Sequence, residues 1–91
     1  RQRQLCIRDS LETLRNEINN IDSQIFQLLN IRFKIVKKIG QYKKENNIPV
    51  LDKSREKIIE KKIKTNYQGN EGEYINQIYK VVMNESKNIQ Y

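Results

Sequence analysis

Apolar residues recur along the first half of the chain at alternating intervals of three and four, which is the heptad pattern of a helix packed against another helix. This heptad stripe has ten positions, of which only Arg32 is charged. They are Leu11, Leu14, Ile18, Ile21, Ile25, Leu28, Arg32, Ile35, Ile39 and Tyr42. Asp9 and Glu12 form a start that resembles a capping box, and Pro49 disfavours helical geometry at the residue before it. The pattern predicts one helix over residues 9–44, about 50 Å long.

Two shorter amphipathic segments follow. The first is predicted over residues 52–67, because Asp52 is a good N-cap. Its inward residues are expected to be Ile58, Ile59 and Ile63. Residues 69–72 predict a break, and a third helix is predicted over residues 73–90. One side of that helix carries apolar residues, namely Ile75, Ile78, Val82 and Ile89, widened by Tyr74, Tyr79 and Met83.

The length of the first helix has a consequence for assembly. A chain of 91 residues cannot cover a helix of about 50 Å within a compact monomer. Three Gly and one Pro are also too few for the turns of an all-β fold. We therefore expect an all-α chain of one very long and two shorter helices, wound into an intertwined homodimer. The expected domain spans residues 11–91, after a tail of residues 1–10.

Composition limits the chemistry and the location. The chain has no His and one Cys, Cys6, so neither an internal disulfide, a zinc site nor a His-activated nucleophile is expected. No run approaches the ~18 apolar residues of a membrane span, and no signal peptide is evident, so we expect no membrane partner and a cytoplasmic protein. The net charge of +7 favours an anionic partner, either nucleic acid, an acidic surface or a small polyanion.

Several charged and polar residues interrupt these patterns. Lys43 follows Arg32 by eleven residues, about 20° round the helix and ~16 Å along it, so both project to one side. Alternatively, Arg32 only fixes the helix register or extends its charge to the surface. Arg15 lies seventeen residues before Arg32, about 25 Å away, and reaches the same small ligand only from the partner chain of an antiparallel dimer.

Two further polar groups lie in the shorter helices. Asp52 and Glu56 are spaced by four residues with Arg55 between them, so all three are candidate site residues. The alternative is that Asp52 is only a helix cap and that Arg55 and Glu56 belong to an ordinary solvated first turn. Ser86 and Gln90 have the same spacing, and the alternative is a pair of surface residues near a frayed terminus.

Together these residues resemble the all-helical class of chorismate mutases, over about residues 11–90. The matching residues are Leu14, Arg15, Ile18, Ile21, Asp22, Leu28, Leu29, Arg32, Ile39, Gly40, Lys43, Pro49, Val50, Asp52, Arg55, Glu56, Ser86 and Gln90. The resemblance implies three helices per chain in a dimer, with chorismate as substrate. It implies an active site formed by Arg32, Lys43, Asp52, Arg55, Glu56, Ser86 and Gln90 of one chain and Arg15 of the other.

The implied reaction is the concerted [3,3] rearrangement of chorismate to prephenate, which needs no nucleophile, metal or cofactor. By this resemblance Arg15 and Arg32 would bind the two carboxylates with Ser86, and Lys43 and Gln90 would donate to the ether oxygen. Glu56, helped by Asp52, would accept from the substrate hydroxyl, and Arg55 would order that acidic pair.

Three alternatives compete with this interpretation. A lyase of the same fold would remove pyruvate from isochorismate, but the full set including Glu56 favours the mutase. A basic module that binds nucleic acid is disfavoured because the lysine pairs are dispersed and only Tyr42 adjoins any of them. A purely structural dimerisation helix would not explain Arg32 in the heptad stripe.

Overall fold

Three α-helices make up the computed structural model, which describes residues 7–91. They are α1, Ile7–Glu45; α2, Lys53–Asn66; and α3, Asn70–Gln90. Within the described residues there is no strand. The prediction of an all-α chain with one very long and two shorter helices is confirmed. Most of the predicted tail, including Cys6, lies outside the described residues.

The two ends of α1 lie close to the predicted ones. The helix begins at Ile7, two residues before Asp9. It ends in a Schellman motif, in which the Ile48 N–H donates to the Lys43 carbonyl at 2.8 Å and the Asn47 N–H donates to the Lys44 carbonyl at 3.5 Å. Asn47 takes the left-handed conformation that this motif requires, with φ 55°. The stop therefore depends on Asn47 as well as on Pro49.

The N-cap predicted for α2 is confirmed. Asp52 has extended backbone geometry, and its Oδ1 accepts the backbone N–H of Arg55 at 3.0 Å. At the other end of α2 the Tyr67 N–H donates to the Ile63 carbonyl at 2.9 Å, so the helix stops there.

The predicted start of α3 at Glu73 is wrong, because the helix begins at Asn70. The break is confined to the residues around Gly69, which has φ 75°. Gly72 is helical and buried, and a Cβ at this position would overlap the carbonyl oxygen of Tyr67. Glycine is needed at position 72 for this close approach and does not interrupt the helix.

The chain divides into two compact units, residues 1–32 and residues 33–91. In the described part of the first unit, the apolar residues of the heptad stripe are exposed: Leu14 is 57% exposed and Leu28 is 66% exposed. None of the three helices, over the residues described, has the combination of length and apolar character that crossing a membrane requires.

The second unit contains the small core. α2 packs against α3, and the buried apolar side chains are Val36 from α1, Ile63 from α2 and Val82 from α3. Ile59 is half-buried, but Ile58 is 57% exposed. The prediction that Ile58 turns inward is therefore wrong for this chain, because only one narrow face of α2 is covered.

Candidate active site

The two candidate arginines of the first unit lie on α1. Arg15 is exposed, whereas Arg32 is half-buried. They are seventeen residues apart on one helix, which separates their Cα atoms by about 25 Å. One chain therefore does not bring both guanidinium groups to a single small ligand.

Lys43 lies near the end of α1 in the second unit and is half-buried. Its Nζ donates to the backbone carbonyl of Val50 at 3.0 Å, so the α1–α2 connection holds the ammonium group in place. An ammonium group has three N–H donors, and two remain for a ligand. The Val50 carbonyl was not identified from the sequence as a partner, since a backbone acceptor leaves no trace in residue identity.

Asp52, Arg55 and Glu56 lie at the start of α2, and all three are exposed. The Asp52 carboxylate accepts from the backbone N–H of Arg55. Within the described chain the Arg55 guanidinium forms no ion pair with Asp52 or Glu56. The structure thus shows the capping role of Asp52, whereas the expected ordering of the acidic pair by the guanidinium stays a prediction.

Glu56 faces a groove of about 280 Å³ between α2 and α3. The other residues that line it are Glu60, Lys80, Met83, Asn84 and Lys87. This groove therefore contains Glu56 but none of the other candidate residues. Within residues 7–91 no group of three or more metal-ligating side chains gathers at this or any other place.

Ser86 and Gln90 are placed by the last turns of α3. Ser86 is only 7% exposed, and its Oγ donates to the Val82 carbonyl at 2.7 Å. Gln90 is half-buried, and its Nε2 donates to the Ser86 carbonyl at 3.3 Å. The Gln90 Oε1 is buried and accepts no hydrogen bond from the described residues. The alternative of two ordinary surface residues at a frayed end is therefore wrong.

Gln90 also contacts α1. A Cβ built at the buried residue Gly40 would lie 3.0 Å from the Gln90 Cα, so the two backbones approach closely there. Lys43 follows Gly40 by three residues and projects from the same side of the helix. The second unit thus places Gln90 against the turn of α1 that precedes Lys43, although these two hydrogen-bond donors are 47 residues apart in the sequence.

The donors at this position are suited to electrostatic work on an anionic ligand. A half-buried ammonium group and a half-buried carboxamide can both donate to an oxygen on which negative charge develops. Together with the two arginines on α1 and the two carboxylates at the start of α2, these donors match the set of residues expected of the all-helical class of chorismate mutase domains.

The comparison with protein families agrees with this class. The family model for chorismate mutase type II matches residues 14–91, so the chain belongs to this family. All eight candidate residues, from Arg15 to Gln90, lie within the match. The prediction of a chorismate mutase domain is confirmed.

Two similar proteins come from Buchnera aphidicola strains, and both are named bifunctional chorismate mutase/prephenate dehydratase. The one from subspecies Schizaphis graminum is 39% identical over 84 residues, covering 87% of this chain and 21% of that protein. The one from subspecies Acyrthosiphon pisum is 42% identical over 80 residues, covering 86% of this chain and 21% of that protein. The chain therefore spans about a fifth of the length of these curated relatives.

The fold is also similar to a solved structure, that of a conserved hypothetical protein from Pyrococcus furiosus. The TM-score is 0.77 at 33% sequence identity, and the match covers 90% of this chain and 96% of that one.

Proposed function

We propose that this domain catalyses the rearrangement of chorismate to prephenate, by holding the substrate in its compact reactive conformation and stabilising charge on the ether oxygen. The rearrangement is concerted, so it requires no nucleophile and no cofactor. Positioning and preorganised electrostatics are the two contributions that a protein can make to such a step. The observation that carries the proposal is the close approach of Gln90 to Gly40, which lies three residues before Lys43 on α1 in the second unit.

Lys43 and Gln90 donate to the ether oxygen as the C–O bond breaks. The bond from Lys43 to the Val50 carbonyl uses one of its three N–H groups and orients the other two. The bond from Gln90 to the Ser86 carbonyl is long, at 3.3 Å, so it is the weaker of the two existing contacts and is readily exchanged for the substrate oxygen. Both donors are half-buried, which strengthens their interaction with the developing charge.

The two substrate carboxylates are bound by Arg32 of one chain and Arg15 of its partner, each through the planar guanidinium fork. Ser86 contributes a hydrogen bond to one carboxylate by turning its hydroxyl away from the Val82 carbonyl. Glu56, with Asp52 and Arg55 beside it at the start of α2, accepts from the substrate hydroxyl.

The active form is an intertwined homodimer in which each α1 packs against its twin and the other chain's short helices. The nine apolar positions of the heptad stripe are 42–66% exposed in the single chain, and a continuous exposed apolar face of this kind is typical of an interaction surface. A heptad stripe fits a second helix of the same kind, so the occupant is another copy of this chain. Antiparallel packing places the partner's Arg15 beside the middle of α1. The cytoplasmic location stays a prediction.

The test is to add the purified chain to chorismate, follow the loss of chorismate absorbance and identify the product. We expect prephenate to form and no pyruvate to be released. Lys43→Ala should lower kcat on the order of 100-fold or more because it removes one of two donors to the ether oxygen. The matched control is Lys44→Ala, which removes an exposed ammonium group from the next position and should leave turnover unchanged. Isochorismate is offered in a parallel assay: pyruvate release from it without prephenate formation from chorismate would instead indicate the lyase of the same fold. Absence of turnover with both substrates would contradict both enzymes.

A further inference from the structure

Gly40 is an interior residue of α1, where glycine is less favourable than alanine. Its backbone does not explain the choice, because Gly69 is the glycine with a positive φ in the described chain, and Gly40 has ordinary helical geometry that alanine adopts more readily. The reason for glycine at position 40 must therefore be space.

The three atoms nearest to that space all belong to Gln90. A Cβ at Gly40 would lie 3.0 Å from the Cα of Gln90, 3.2 Å from its Cγ and 3.3 Å from its Cβ. The nearest of these atoms belongs to the backbone, so a side-chain rotation of Gln90 does not relieve the contact. An added methyl group would displace the last turn of α3 by a few tenths of an ångström.

We propose that Gly40 is a positioning residue for Gln90. The absence of a side chain at position 40 lets the end of α3 lie against α1, so that the Gln90 carboxamide and the Lys43 ammonium reach the same substrate oxygen. This inference rests on the proposed mutase function, since it assigns Gln90 a donor role in that reaction. It also explains how a residue one position from the end of the described chain is held firmly enough to act.

One structural observation and one experimental criterion distinguish this role from simple packing. The Gln90 Oε1 is buried without a partner among the described residues, so the carboxamide is confined rather than free in solvent. A residue that acts through Gln90 must also lose its effect once the Gln90 carboxamide is gone. A residue that only stabilises the fold keeps its effect in either background.

The test is a double-mutant cycle on the full chain with Gly40→Ala, Gln90→Ala and both changes together. A misplacement of ~1 Å near the reacting atoms costs about 100-fold, so a shift of a few tenths should lower kcat about tenfold for Gly40→Ala, with KM nearly unchanged. In the Gln90→Ala background the same change should lower kcat less than about twofold. Lys38→Ala, at an exposed position of α1, is the control for changes in helix stability.

Three results would overturn the inference: unchanged kcat in Gly40→Ala, an equal loss of kcat in both backgrounds, or a loss confined to KM. If Gly40→Ala does not fold, nuclear Overhauser contacts between the Gly40 α-protons and the Gln90 β- and γ-protons of the wild-type chain decide the matter. Their presence supports the placement and their absence refutes it. An active wild type with an additive cycle refutes only the role of Gly40, whereas an inactive wild type refutes the proposed function.

Discussion

Gln90→Glu exchanges the carboxamide at the end of α3 for a carboxyl group of nearly the same shape, and so tests whether position 90 must donate a hydrogen bond. A carboxamide donates at any ordinary pH, but a carboxyl group donates only when it is protonated. The substitution therefore makes the proposed donor dependent on pH without removing its bulk.

The magnitude follows from the protonated fraction. An unperturbed glutamic acid has a pKa of about 4.3, so about one molecule in 500 is protonated at pH 7. The buried surroundings of the Gln90 side chain raise the pKa of the introduced carboxyl group, because burial disfavours its charged form. The Ser86 carbonyl that now accepts from Nε2 acts in the same direction, since a carboxylate cannot donate to it. The nearby Lys43 ammonium group acts in the opposite direction, because a positive charge favours the carboxylate form. The loss of kcat at neutral pH should therefore be large, on the order of 100-fold.

The sign of the pH dependence is fixed by which form donates. The active form is protonated, so kcat should be highest at acidic pH and fall as the pH rises through the pKa of the introduced group. The assay is kcat for both proteins between about pH 4.5 and 8.5, with melting temperatures at each pH to show that both stay folded. Gln77→Glu introduces the same charge at an exposed site of α3 and should follow the wild type.

A profile of Gln90→Glu that runs parallel to that of the wild type would refute the reasoning. It would mean that no proton on residue 90 is needed in the reaction, and that the contact with Gly40 serves packing alone.

Sedimentation at micromolar concentration should give about twice 11.0 kDa, and a folded, active monomer would contradict the dimer. Arg15→Ala and Arg32→Ala should each be nearly inactive, yet mixing them with subunit exchange should restore up to one working site per heterodimer; no recovery from folded variants would exclude a role for Arg15 across the dimer. Asp52→Ala should lower the free energy of unfolding by about 1 kcal/mol in chemical denaturation, because the Arg55 N–H loses its cap. Ser54→Ala, on the same exposed turn, should change stability by less than about half of that, and equal effects would contradict the capping argument.

The helices were predictable because their signals are local. The heptad stripe keeps the same spacing over more than thirty residues, and Asp52 caps α2 through a hydrogen bond between residues three positions apart. The start of α3 was not predictable in the same way. Gly72 resembles a helix breaker in the sequence, but glycine is required there because a Cβ would overlap the Tyr67 carbonyl oxygen. That contact depends on how the chain turns between α2 and α3.

The identities of the candidate site residues could be predicted in the same way, but the contacts between them could not. Residue type and spacing identified Lys43 and Gln90 as separate donors, but their adjacency depends on the contact between Gly40 and Gln90, fifty residues apart in the sequence. The hydrogen bond from Lys43 to the Val50 carbonyl could not be predicted from the sequence either, because every residue has the same backbone acceptor whatever its side chain. Contacts of this kind arise only when the helices pack, so spacing alone could not reveal them.

The central claim is that Lys43 and Gln90 together stabilise the charge that develops on the ether oxygen of chorismate. The most direct measurement is kcat for chorismate turnover by the wild type, Lys43→Ala, Gln90→Ala and the double variant, with prephenate identified as the product. The account predicts prephenate formation by the wild type, a loss on the order of 100-fold or more in each single variant, and melting temperatures that show all four proteins folded. Folded single variants that turn over chorismate as fast as the wild type would contradict it.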